Sequence, residues 1–140
     1  MKRFFAVPAL ALATLAAIGC ELTGPLSGLE GDYVLQTING QTLPHTSTFG
    51  GGDFYTVRSY GMRVMRGNQW NYATSYSSSS NGVNVSLGYG KGTGTYTYTP
   101  PSNIELVGSE MRFTGTVSGD QLTLALDGDT WLFTRAPDTD

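Results

Sequence analysis

Only one of the 140 residues is a cysteine, Cys20, and only one is a histidine, His45. A lone cysteine excludes any intrachain disulfide. A lone histidine leaves a zinc site short of its usual set of His, Cys and carboxylate ligands. Charge is scarce as well: 14% of the residues are charged and the formal net charge is −3. The basic footprint that nucleic acid demands is therefore missing. Ala is sparse beyond Cys20, and no apolar repeat of helical spacing occurs there. Gly, Ser, Thr and Tyr fill the space, with 19 glycines and eight tyrosines in the chain. That is the composition of a β protein.

The one long apolar run lies at the N-terminus. Lys2 and Arg3 form a basic start, Phe4 to Ile18 is uncharged and rich in Ala and Leu, and small residues lead to Cys20. The run falls short of the roughly 20 residues that a transmembrane helix needs, and its flanks fit a cleaved signal-peptide helix. Ala17-Ile18-Gly19-Cys20 resembles the lipobox of bacterial lipoproteins: Gly19 and Cys20 match, and Ala17 stands where Leu is commonest. The resemblance implies cleavage before Cys20 and lipid attachment to its sulfur. The alternative is an ordinary signal peptide cut after another small residue, with Cys20 there by chance. Acylation accounts for an otherwise unpaired thiol in an exported chain. Each buried methylene contributes about 0.8 kcal/mol, so more than one acyl chain gives stable attachment.

Loss of Lys2 and Arg3 would leave six basic and eleven acidic residues, a net charge of −5. No polybasic patch then remains, and the membrane is met through lipidated Cys20 alone. The expected address is the cell envelope, at the outer membrane facing the periplasm or the cell surface. Glu21 does not match the Asp that retains some bacterial lipoproteins in the inner membrane. The expected divisions are a signal peptide over 1–19, a flexible tether over 20–29, one β domain over 30–136 and a polar tail over 137–140.

The β domain is punctuated by turn signals. Asn39-Gly40, Gly67-Asn68, Ser118-Gly119-Asp120 and Asp127-Gly128-Asp129 are residues that tolerate positive φ or hairpin geometry. Between them run extended stretches with period-2 alternation. Tyr33, Leu35 and Thr37 share one face of the first and Val34, Gln36 and Ile38 the other, so its inside stays unassigned. Trp70, Tyr72, Thr74 and Tyr76 share a face, and Val83, Val85, Leu87 and Tyr89 form the clearest alternation. Met111, Phe113 and Val117, then Leu122, Leu124 and Leu126, then Trp131 and Phe133 read as inward rows. Three stretches read as loops: His45 to Gly52, the serine run Ser77 to Gly82, and Gly90 to Gly92. Gly88, Gly90, Gly92 and Gly94 alternate, so an extended chain there would instead bring tight curvature or a close neighbour. The expectation is an all-β antiparallel up-and-down meander of eight or nine strands closing into a barrel, with a β-sandwich as the alternative.

Gly31-Asp32-Tyr33-Val34-Leu35 followed by Asn39-Gly40 and Leu43-Pro44, then Gly94-Thr95-Tyr96-Thr97, and finally Gly119-Asp120-Gln121-Leu122-Thr123-Leu124 through Trp131-Leu132-Phe133-Thr134-Arg135, resemble small bacterial lipoproteins with a lipocalin-like domain. The resemblance spans nearly the whole β domain. It implies a lipocalin-like barrel whose closed end is held by an aromatic residue of the first strand against an Arg of the last. Tyr33 and Arg135 stand at those positions, Tyr replacing the commoner Trp.

Catalytic chemistry has little to work with. No nucleophile-elbow motif is present, and His45, beside Pro44, is expected to be exposed. Asp127-Gly128-Asp129 lacks the spacing of an EF-hand and reads as a tight hairpin. No catalytic residue, metal or cofactor is expected. Trp70, Tyr72, Tyr76, Tyr89, Tyr96 and Tyr98 could line a cavity for a small apolar or aromatic ligand, or simply fill the core. The functional expectation is a non-enzymatic envelope lipoprotein that binds such a ligand. The alternative is a protein–protein or structural module with a filled core, which exposed aromatics on the Gln69–Tyr76 stretch would mark.

Overall fold

The structure, a computed structural model, describes residues 28–137. The expected signal-peptide helix, Cys20 and most of the tether and tail lie outside the described residues. Ten strands follow one another: β1 (Gly31–Ile38), β2 (Gln41–Thr42), β3 (His45–Thr48), β4 (Phe54–Met65), β5 (Gln69–Ser80), β6 (Val83–Thr99), β7 (Asn103–Gly108), β8 (Arg112–Ser118), β9 (Gln121–Leu126) and β10 (Asp129–Arg135). A short 3-10 turn over Gly50–Gly52 separates β3 from β4. From β4 to β10 each strand pairs antiparallel with the next. β10 then pairs with β1, and β1 closes the circle on β4 through Gly31↔Val64 to Val34↔Gly61. The result is a closed eight-stranded antiparallel up-and-down barrel, consistent with a lipocalin-like one. β2 and β3 are short additions to β1 and β4.

Two-residue turns set the register. Gly67-Asn68, both at positive φ, belongs to the three-residue loop between paired Met65 and Gln69, whereas Asn39-Gly40, Asn81-Gly82 and Asp127-Gly128 are whole two-residue turns with both residues at positive φ. That is the type I′ geometry whose twist matches the flanking strands. Two bulges resolve the ambiguous faces. The register of β1 against β10 shifts between Leu35 and Thr37, so Tyr33, Leu35 and Ile38 all face inward and are buried. On β4 the shift between Val57 and Ser59 does the same for Val57 and Tyr60. A bulge adds one unpaired residue and so flips the alternation downstream.

Much of the three expected loops is strand, while Gly50–Gly52 and Asn81-Gly82 are turns as expected. His45–Thr48 pairs with β4, and the Thr46 and Thr56 hydroxyls lie 2.8 Å apart. The serine run belongs to β5 as far as Ser80, leaving Asn81-Gly82 as the whole turn. Its backbone is paired on both sides, by β4 and by β6, and Ser79 Oγ accepts from the Phe54 amide at 3.2 Å. Gly90 to Gly92 lies within the 17-residue β6. Composition suggested loops because small polar residues bury little, but backbone pairing is indifferent to side-chain size.

The core is one cluster inside the barrel. Tyr33, Val64, Trp70, Leu106, Phe113, Leu122, Leu124 and Phe133 are almost wholly buried. Full burial of a large apolar side chain contributes about 1.5–3 kcal/mol. Leu29, at the end of the expected tether, is buried in the same cluster.

Candidate functional site

The inward face of β5 carries Trp70, Tyr72, Thr74 and Tyr76, paired across β6 with Gly94, Gly92, Gly90 and Gly88. This pairing explains the alternating glycines. A Cβ at Gly92 would lie 2.5 Å from Tyr72 Cε1, one at Gly90 would lie 2.9 Å from Thr74 Cγ2, and one at Gly88 would run into the Tyr76 ring. The β5 side chains therefore lie down across β6 in the space its missing side chains leave. Close approach, not flexibility, selects glycine there.

Tyr60 is the hub of the interior. Its ring stacks on Tyr72 at 5.1 Å between centroids and 12° between planes. It also meets Phe113, Trp131 and Phe133 edge-on at 6.4, 5.5 and 5.7 Å. Trp70 also stacks on Tyr72, at 5.7 Å, and meets Phe113 edge-on. Such offset and T-shaped contacts contribute about 0.5–1.5 kcal/mol beyond area burial. Burial pushes the Tyr60 phenol far above its ordinary pKa, with Tyr72 and Tyr55 adding to the shift. Tyr55 and Tyr96 are also raised, first by burial.

The six aromatics singled out in the sequence do not converge on one cavity. Trp70 is wholly buried, and its Nε1 donates to the Thr95 carbonyl at 3.1 Å. Tyr72 and Tyr76 are half-buried over the glycines of β6. Tyr96 is buried, and its hydroxyl donates to the Met65 carbonyl at 3.3 Å. Tyr98 is half-buried and donates to the Pro101 carbonyl at 2.5 Å. Tyr89 faces solvent, 84% exposed. Sequence reasoning missed Tyr60, Phe113 and Trp131 as partners of this cluster. Tyr60 lies beyond a bulge that no residue type announces.

Tyr33 and Arg135 do meet. Arg135 Nη2 donates to the Tyr33 hydroxyl at 2.7 Å, and its guanidinium carbon sits 5.2 Å from the ring centroid. Nη1 donates to the Glu30 carbonyl at 2.8 Å, Nη2 also reaches the Gly28 carbonyl, and Nε lies 3.3 Å from Asp120. The Tyr33 hydroxyl donates onward to Leu29 at 2.9 Å. Burial raises the Tyr33 phenol against the opposing pull of Arg135. The pair fixes the segment entering β1 to the last strand.

The outer face of the closing strands is concave. A depression of about 760 Å³ opens over β1, β4, β5 and β6, with Gly61 and Ala73 as its floor and Val34, Arg63, Asn71 and Lys91 among its lining. Arg63 holds Asp32 by two hydrogen bonds of 2.5 and 2.8 Å, which keeps that carboxyl below the usual range. A second depression of about 520 Å³ shares Ala73 and Lys91 and is bounded by Tyr89. Exposed Tyr89 thus sits on β6 and not on β5, whose rings point inward. Of the alternating row that reads most clearly in the sequence, Leu87 and Tyr89 face outward, and Val83, also exposed, lies beyond a register shift in the β5–β6 pairing.

His45 is half-buried rather than exposed, and its Nδ1 has no hydrogen-bond partner. Asp127-Gly128 is a hairpin turn, and the neighbouring Asp129 accepts from Asn39 Nδ2 at 2.7 Å. Among the described residues no three His, Cys, Asp or Glu side chains gather as a metal site would require. Comparison with models of protein families, with curated proteins and with solved structures returns no match.

Proposed function

We propose that this chain is a lipid-anchored protein of the cell envelope and that its barrel, non-enzymatic, works as an interaction module through the outer face of β4–β6. The observation that carries this reading is the filled interior. The rings of Trp70, Tyr72, Tyr60, Phe113, Trp131 and Phe133 occupy the volume in which a barrel of this size would otherwise hold a ligand. The open depressions lie outside, the smaller one bounded by exposed Tyr89. Anchoring rests on the lipobox-like Ala17-Ile18-Gly19-Cys20, and the segment from Cys20 to Gly28 would hold the barrel off the bilayer. Cell fractionation tests it. The natural chain should sediment with membranes and Cys20→Ala should be released. A Cys20→Ala chain that stays in the membrane fraction would sink the anchoring.

A second reading, a small apolar ligand inside the barrel, has one observation in its favour. Trp131 Nε1 is buried with no acceptor, and a carbonyl of such a ligand would supply one. This reading requires the ring cluster to open. It predicts that an added apolar ligand changes the fluorescence of Trp131, an effect absent from the Trp131→Phe variant.

A further inference from the structure

We propose that the free edge of β6 is a self-association surface and that its occupant is the β6 edge of a second copy of this chain. The inference deepens the interaction reading above, and rests on anchoring in one respect: a shared membrane brings the copies together.

β6 pairs with β5 from Val83 to Thr95, but with β7 only from Gly94 to Thr99. Among the described residues, no strand lies against the other edge of Val83–Thr93. The row of backbone N–H and C=O groups left there is a template for strand addition. Two neighbouring outward side chains along it are apolar, Leu87 68% and Tyr89 84% exposed, and Lys91 and Thr93 continue that row. The inward row is Gly88, Gly90 and Gly92, and the side chains that lie over it, Tyr76, Thr74 and Tyr72, come from β5.

The edge is complementary to itself. Antiparallel pairing about a two-fold axis at Gly88 sets Leu87 of each copy opposite Tyr89 of the other. That is an aliphatic–aromatic cross-strand pair made twice, as an isologous interface requires. Lys91 is the only charge between Gln69 and Thr99, and the two copies of it fall on opposite sides of the axis. The chain as a whole is acidic, with a net charge of −3, so two copies repel each other. The β5–β6 hairpin is the surface on which they meet without like charges opposed. Such an edge is small for a specific interface, so the dimer is concentration-dependent, and tethering to one membrane raises the effective concentration.

Sedimentation velocity of the full chain in detergent, across a wide concentration range, tests the proposal. The natural chain should pass from monomer to dimer. Leu87→Lys and Tyr89→Lys should each raise the dimer dissociation constant about tenfold or more, with circular dichroism and melting temperature unchanged. A chain that stays monomeric throughout, or a dimer indifferent to both substitutions, overturns it. A monomer whose β6 amides are protected from hydrogen exchange also overturns it, because another segment of the same chain then covers the edge. The Cys20→Ala chain separates the two readings. It should still dimerise in buffer at high concentration, so a failure of anchoring leaves the self-association result standing.

Discussion

Tyr60 shows how one residue can stabilise the barrel and also make it sensitive to base. Its phenol is buried against four aromatic rings and raised in pKa by that burial, as are Tyr33, Tyr55 and Tyr96 to smaller extents. A phenol whose folded pKa exceeds its unfolded one contributes fully below the unfolded value, about 10. It loses that contribution as pH rises toward the folded one. Melting temperature should therefore hold up to about pH 10 and fall beyond it, and Tyr60→Phe should flatten that fall. An alkaline decline unchanged by Tyr60→Phe would count against the assignment. The glycines of β6 offer a second residue-scale test. Gly92→Ala drives a Cβ into the Tyr72 ring and should cost about 1–3 kcal/mol. Gly61→Ala, with nothing within 4 Å of its Cβ, should stay within about 0.5 kcal/mol of the natural chain in urea unfolding. At the closed end, Arg135→Met removes the hydrogen bonds to Tyr33 and to the Glu30 and Gly28 carbonyls. It should cost about 2–3 kcal/mol in the same assay.

At the scale of elements, the legible parts of the sequence were those where chemistry and conformation coincide. Asn39-Gly40, Gly67-Asn68 and Asp127-Gly128 declare their turns because few residue types accept two successive positive φ values. Leu122, Leu124, Trp131 and Phe133 declare an inward face because large apolar groups alternate there. The serine run of β5 and the glycines of β6 did not declare themselves. Their place is fixed by partners distant in sequence, the rings of Tyr72 and Tyr76 above all. The alternation of Leu87 and Tyr89 on β6 left its side unassigned for a related reason: it reports that two faces differ, not which one is inside. The bulges near Gln36 and Arg58 left no mark that a side chain could supply. One cross-link between turns can be tested directly. Asn39 Nδ2 donates to Asp129 at 2.7 Å, and its Oδ1 accepts from the Thr130 amide at 2.8 Å, tying the turn after β1 to the start of β10. Asn39→Ala should lower stability by about 1–2 kcal/mol, and hydrogen exchange should quicken first at Thr130.

At the scale of the whole molecule, a closed barrel with a buried aromatic core follows, in sequence, a segment that resembles a lipid anchor. The fold was largely legible. The use of the aromatics was not, because filling a barrel and lining a cavity call for the same residue types. The proposed division of labour is simple: Cys20 attaches, the interior holds the shape, and the outer face and free edge of β6 meet partners. The most direct test is native mass spectrometry of the full chain released in mild detergent from its own host. The account predicts the mass of a chain beginning at Cys20 with acyl groups attached and no retained small molecule. A stoichiometric small molecule travelling with the folded chain would contradict the filled interior, and an unmodified Cys20 would contradict the anchor.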